Sequence, residues 1–249
     1  MKKGQITIFV ILAIVIVAGI LFFFLFRTNI NGGKGASPDL KSEMQTCVDK
    51  AVEQIIEVIL PKGGMINPGL FIKYEGSNVE YLCYSPYYYT PCINRHGSYV
   101  QDVKEEIRKF VAEKADDCLY KIKKDYAGKG YSFDSDAIKT EIELKPGQVR
   151  TILKGNIEII KNEESYRFSE MELTTKNDIY NMAVIAEKIA NQESKVCYFN
   201  SLEFNMLYPN YKIEKLDKNA DTKIYSITNK KNGKILIIAI RSCALIPGI

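Results

Sequence analysis

His96 is the only histidine of the chain, so any Ser–His or Cys–His catalytic pair has to use it. No Gly-x-Ser-x-Gly elbow accompanies it, and Cys92 stands four residues away in a loop. An ordinary loop histidine is the expectation. Asp217-x-Asn219-x-Asp221 supplies the first three oxygen ligands of a calcium loop, but Thr222 replaces the turn glycine and Thr228 the bidentate glutamate. Asp134 and Asp136 are a weaker version of the same spacing. Glu141/Glu143 and Glu163/Glu164 are paired acids of the kind that flank a glycosidic bond, yet a solvated strand face gives the same alternation. Gly32-Gly33-Lys34-Gly35 lacks the spacing of a phosphate loop. These residues lead to no metal, no cofactor and no catalytic activity; a tethered hydrolase using carboxylates is the enzymatic alternative.

Six cysteines remain: Cys47, Cys83, Cys92, Cys118, Cys197 and Cys243. None lies in a Cys-x-x-Cys pair, which lowers the zinc and thioredoxin-like readings, and an even count suits three disulfides in an oxidising compartment. Fifteen connectivities are open. The layout of elements favours Cys47–Cys118 between two long helices, Cys83–Cys92 around a loop, and Cys197–Cys243 from the last helix to the last strand. Between Cys83 and Cys92 the chain reads Tyr-Ser-Pro-Tyr-Tyr-Tyr-Thr-Pro. Tyrosine offers a large amphipathic contact at low entropy cost, so Tyr84, Tyr87, Tyr88 and Tyr89 form a candidate binding loop, with Tyr81 and Tyr99 nearby.

The elements that must position these groups follow from periodicity. Leu40, Met44, Val48, Val52, Ile55 and Ile59 recur at helical spacing until Pro61 and Gly63-Gly64. Leu70–Tyr74 and Val79–Tyr84 read as a hairpin, and Ser98-x-x-Gln101 as a capping box opening a helix to about Tyr126. A meander over 137–145, 149–161 and 166–175 precedes a third helix from Asn177 to about Asn191. Tyr211–Leu216, Thr222–Thr228 and Lys234–Arg241 complete the strands.

The amino-terminal end sets the expected location. Ile6–Phe26 carries no charge and only one polar side chain, Thr7, and about 20 apolar residues suffice to span a bilayer. All 30 acidic residues lie beyond it; of the 34 basic ones Lys2 and Lys3 precede it, Arg27 abuts its end, and the other 31 follow. The remainder is thus nearly neutral and gives no electrostatic case for nucleic acid. Lys2 and Lys3 favour a cytoplasmic start with the bulk of the chain outside. Asn29 to Pro38, with three glycines, reads as a tether.

Lys2-Lys3-Gly4-Gln5-Ile6-Thr7 against an apolar run resembles the archaeal class III signal peptide of type IV pilin-like proteins. The resemblance implies cleavage between Gly4 and Gln5, with the apolar helix retained. It departs at Phe9, where many pilins carry the glutamate thought to neutralise a neighbour's terminal amine during assembly. The remaining chain is similar to ectodomains that follow such leaders in small-genome archaea, on the strength of Cys47 and Gly63-Gly64.

The expected organisation is a leader over 1–4, a transmembrane anchor over 5–27, a flexible tether over 28–37 and a disulfide-stapled ectodomain over 38–249. The fold class is α+β, with a single N-terminal transmembrane helix followed by an extracellular domain of about three helices on antiparallel sheet. The function expected is that of a single-pass surface protein with a contact or adhesion ectodomain. Its partners would be the lipid bilayer and other surface proteins or a neighbouring cell, with no nucleic acid. A pilin-like subunit self-associating through its helix is the structural alternative.

Overall fold

A computed structural model describes residues 15–17, 39–217 and 221–243. From residue 40 the chain forms one unit, and its order begins with α1 (Leu40–Ile59), a 3-10 turn (Leu60–Lys62), β1 (Phe71–Tyr74), β2 (Ser77–Tyr84) and β3 (Ile93–Asn94). Then come α2 (Tyr99–Gly128), β4 (Ser132–Ser135), β5 (Lys139–Lys145), β6 (Gln148–Lys161) and β7 (Glu164–Lys176). The chain continues through α3 (Ile179–Val196), α4 (Ser201–Leu207), β8 (Tyr211–Asp217), β9 (Thr222–Asn229) and β10 (Ile235–Arg241).

Two sheets result. The first runs β1-β2-β10-β9-β8, with β3 also on β2. In the second, β7 covers one edge of β6 while β4 and β5 share the other. Gly155 marks the point where they divide it: the β6–β7 register shifts between Lys154 and Ile157, and a Cβ at Gly155 would stand 3.2 Å from the Ala137 carbonyl. A bulge with glycine lets the incoming β4–β5 link pass close to the β6 backbone.

The helices join the sheets into one core. α1 buries Leu40, Met44, Val48, Val52, Ile55 and Ile59 along one stripe, and α2 answers with Val103, Ile107, Val111, Ala115 and Cys118. α3 packs on strands of both sheets through Met182, Ile185, Ala186 and Ile189. Ser98 precedes α2 as expected, but its side chain makes no cap; the carboxylate of Glu187 on α3 instead accepts the Val100 N–H at 3.1 Å.

The expected fold class is corrected in three respects. No helix among the described residues is long and apolar enough to cross a membrane. The longest, α2, alternates its apolar stripe with charged positions such as Lys104, Glu105 and Arg108, so it suits a protein surface rather than lipid. The positions expected to form the leader, anchor and tether, including Gly4 and Gln5, lie outside the described residues except Val15–Val17. Secondly, four α-helices rather than three occur among residues 40–243. The added one, α4, is seven residues long, under two full turns, too short for its periodicity to register. Thirdly, β2 runs parallel to β10, so the larger sheet is mixed and not antiparallel.

The Gly63-Gly64 corner does more than stop a helix. Gly63 has φ +73° and Gly64 φ +83°. Tyr99, on α2, donates from its hydroxyl to the Gly63 carbonyl at 3.0 Å, and a Cβ at Gly64 would overlap that hydroxyl oxygen and approach Val103 to 2.9 Å. Gly64→Ala is expected to cost about 2–4 kcal/mol, from left-handed strain and from overpacking of two buried side chains. A drop in urea midpoint at unchanged m-value would show it, while a change within 0.5 kcal/mol, roughly the scatter of neutral surface substitutions, would refute it.

A candidate binding surface on a cystine-closed tyrosine loop

β2 and β3 pair antiparallel with Cys83 opposite Asn94 and Tyr84 opposite Ile93, leaving Ser85–Cys92 as the connecting loop. Cys83 and Cys92 are disulfide-bonded with Cα atoms 5.4 Å apart, which closes the loop at its base. Pro86 and Pro91 limit the backbone further. Ser85 is buried; its N–H donates to the Arg241 carbonyl at 2.9 Å, and its hydroxyl lies 2.7 Å from that of Thr90 and accepts the Tyr87 N–H at 3.2 Å. The loop is therefore tied to β10 and across its own width.

Tyr87, Tyr88 and Tyr89 project from this frame with 69%, 56% and 76% of their surface exposed. Tyr84 behaves differently. It is half-buried, its ring meets Tyr81 edge to face at 5.3 Å, and its hydroxyl accepts a hydrogen bond from Arg241 at 2.9 Å. The Arg241 guanidinium lies 5.4 Å from the Tyr84 ring centre and 5.9 Å from that of Tyr88. Its Nε donates to Asp221 at 2.7 Å, and that carboxylate holds the guanidinium above its ordinary pKa. Asp221, Arg241 and Tyr84 thus brace the loop from below, while three consecutive rings face outward. Tyr81 and Tyr99 are buried and belong to the core.

The bracing roles of Arg241, Asp221, Ser85 and Thr90 had no signal in the sequence, where Asp221 stood out only as an oxygen of the calcium-loop spacing. Arg241 reaches Tyr84 over 157 positions, a contact created by the parallel β2–β10 pairing. The six cysteines stand in the three pairs that the layout favoured: Cys47–Cys118, Cys83–Cys92 and Cys197–Cys243.

The other candidate residues fall into separate surroundings. His96 bonds through Nδ1 to Asp102 at 2.6 Å, meets Tyr99 edge to face at 5.6 Å and has Nε2 3.9 Å from Glu80. Burial pushes the Glu80 carboxyl above its usual range, although the Gly69 N–H donates to it at 2.6 Å and moderates the effect. Cys92, in its disulfide, offers His96 no thiol. Glu141 is held by Lys154 at 2.8 Å and Lys139 at 3.1 Å, and Glu143 by Arg150 and Lys145, both at 2.9 Å. Hydrogen bonds from these cations lower both carboxyl pKa values, opposite to the shift a general acid needs. Glu163 sits in the β6–β7 turn, and Glu164 accepts the Tyr166 hydroxyl at 2.7 Å.

Of the calcium candidates, Asn219 lies outside the described residues and Asp221 is bound to Arg241. Asp134 and Asp136 line a surface cleft of about 430 Å³ with Glu158 and Arg167. Asp136 accepts from Asn156 at 3.0 Å, and Glu158 is paired with Arg167 at 2.9 Å. Among the described residues no group of three or more His, Cys, Asp or Glu side chains is arranged to hold a metal ion.

Comparison of the chain with protein-family models, curated proteins and solved structures found no match.

Proposed function

We propose that this chain is a cell-surface binding protein that attaches to the membrane through the apolar run at 6–26 and makes contact through Tyr87–Tyr89. The observation that carries the reading is the combination of three consecutive exposed tyrosines with a loop fixed by Cys83–Cys92 and Arg241. Exposed aromatic side chains lose two rotatable angles on binding, and a prefixed loop has little further freedom to lose. Interface energy concentrates in such anchors, where Tyr, Trp and Arg are enriched. Three disulfides fit an oxidising exterior, and Lys2 and Lys3 fit a cytoplasmic start.

Replacing Tyr87, Tyr88 and Tyr89 together with Ser is expected to leave the urea midpoint nearly unchanged, since the rings stand outside the core. Contact with the partner surface should weaken by about 2 kcal/mol or more, roughly thirtyfold. Cell-to-cell or cell-to-surface adhesion of a strain carrying the variant measures it. Adhesion equal to that of the parent strain, with the variant displayed at equal density, would remove the loop from the proposal.

A further inference from the structure

β8 and β7 are edge strands. β8, seven residues long, ends the larger sheet, and β7, thirteen residues long, pairs only with β6. Such an edge turns outward the N–H and C=O of every second residue, a template for any strand that can reach it. At Ile213 and Thr174 those two groups are taken by a side-chain amide. Asn205 on α4 accepts from the Ile213 N–H at 2.8 Å and donates to the Ile213 carbonyl at 3.1 Å. Gln45 on α1 accepts from the Thr174 N–H and donates to the Thr174 carbonyl, both at 3.2 Å. An amide side chain presents one donor face and one acceptor side by side, as a neighbouring backbone does. Each of the two therefore stands where an added strand would bond.

Both amides are fixed from behind. Gln45 Nε2 also donates to Asp49 Oδ1 at 2.8 Å, one helical turn further along α1, and the same oxygen accepts the Thr175 hydroxyl. Asn205 follows Phe204, which is buried, 4.8 Å from the Phe199 ring centre and stacked on Tyr208 at 5.3 Å. Two residues before Ile213 the β8 edge is closed again, by the Tyr208 carbonyl, which accepts the Tyr211 N–H at 2.9 Å.

We infer that the β8 and β7 edges are strand-pairing surfaces fitted to a second copy of this chain, and that Asn205 and Gln45 occupy them and so keep copies apart. A second copy fits because it carries the same edge. β8 against β8, or β7 against β7, can pair antiparallel about a two-fold axis, the commonest symmetry of homodimers. Neither the membrane attachment nor the tyrosine loop enters the argument.

Hydrogen exchange and self-association of the full-length protein in detergent solution test it. In the parent the Ile213 and Thr174 amides are expected to exchange slowly, although each faces outward from an edge strand. Asn205→Ala combined with Gln45→Ala removes both amides and adds no large apolar surface. Both backbone protons should then exchange about tenfold faster or more, since opening no longer has to break a bond. Dimers should increase with protein concentration beyond any that the parent forms. A mixture of light and isotope-labelled chains should cross-link copy to copy within 211–217 or 164–176. Fast exchange at both positions in the parent overturns the inference whatever the variants do. A folded double variant that matches the parent in sedimentation and cross-links at every concentration also overturns it: the amides would then complete the fold without preventing pairing. Should the double variant not fold, Gln45→Ala alone is read in the same way, at Thr174 and over residues 164–176.

Discussion

Lys223→Met is expected to destabilise the protein by about 3–5 kcal/mol, because it strips the cation from a buried carboxylate. Glu193 on α3 has no exposed surface, and Lys223 on β9 reaches it at 2.6 Å while also donating to the Cys197 carbonyl at 2.6 Å. The Tyr225 hydroxyl donates to the other oxygen of the same carboxylate, so both oxygens are engaged only while Lys223 and Tyr225 are present. Methionine matches the lysine stem in volume and leaves packing nearly intact, so the loss measures the orphaned charge rather than a cavity. Glu193→Gln combined with Lys223→Met should recover a large part of the loss, since a neutral amide can still accept from Tyr225. Urea unfolding with the disulfides intact gives both values. A single-variant loss under 1 kcal/mol, about that of an exposed pair, would mean that water reaches Glu193.

The same pair shows where sequence reasoning stops. The sequence reading ends the third helix at about Asn191 and singles out neither Glu193 nor Lys223, two residue types that are rarely fully buried. Only the packing of α3 on the larger sheet, reinforced by Cys197–Cys243, turns them inward. Local signals fared better where one element decides the outcome. The stripe of α1 and the turn glycines at 63 and 64 were visible, as was the placement of Cys47 and Cys118 on facing helices. The β1–β2 hairpin was visible too, but with a four-residue connection; the turn is the tighter Glu75-Gly76, both with positive φ, and β2 starts at Ser77 rather than Val79. Pairing of β2 with β10 was not, because a parallel contact over more than 150 positions leaves no local trace. With it went the support of the tyrosine loop: Cys83, Cys92 and the rings could be read, whereas Asp221 and Arg241 beneath them could not.

The disulfides separate stability from contact, and two paired substitutions should show this. Cys47 and Cys118 close a loop of 71 residues between α1 and α2, for which chain entropy predicts about 4 kcal/mol. Replacing both with Ala is expected to lower the urea midpoint sharply, with some added loss from the small cavity between the helices. The tyrosine loop lies elsewhere in the fold and its own cystine is untouched, so partner binding should persist below the new midpoint. Replacing Cys83 and Cys92 with Ser reverses the pattern. That loop spans only 9 residues, which reduces the expected stability loss to about 2.5 kcal/mol. Opening its base frees Tyr87–Tyr89, and binding should weaken by tenfold or more through the ordering cost that the closed loop had already met. Unfolding curves and adhesion assays on both variants form the test. Equal loss of adhesion in the two, with each shown to be folded under the assay conditions, would mean that contact depends on the fold as a whole and not on the closed loop.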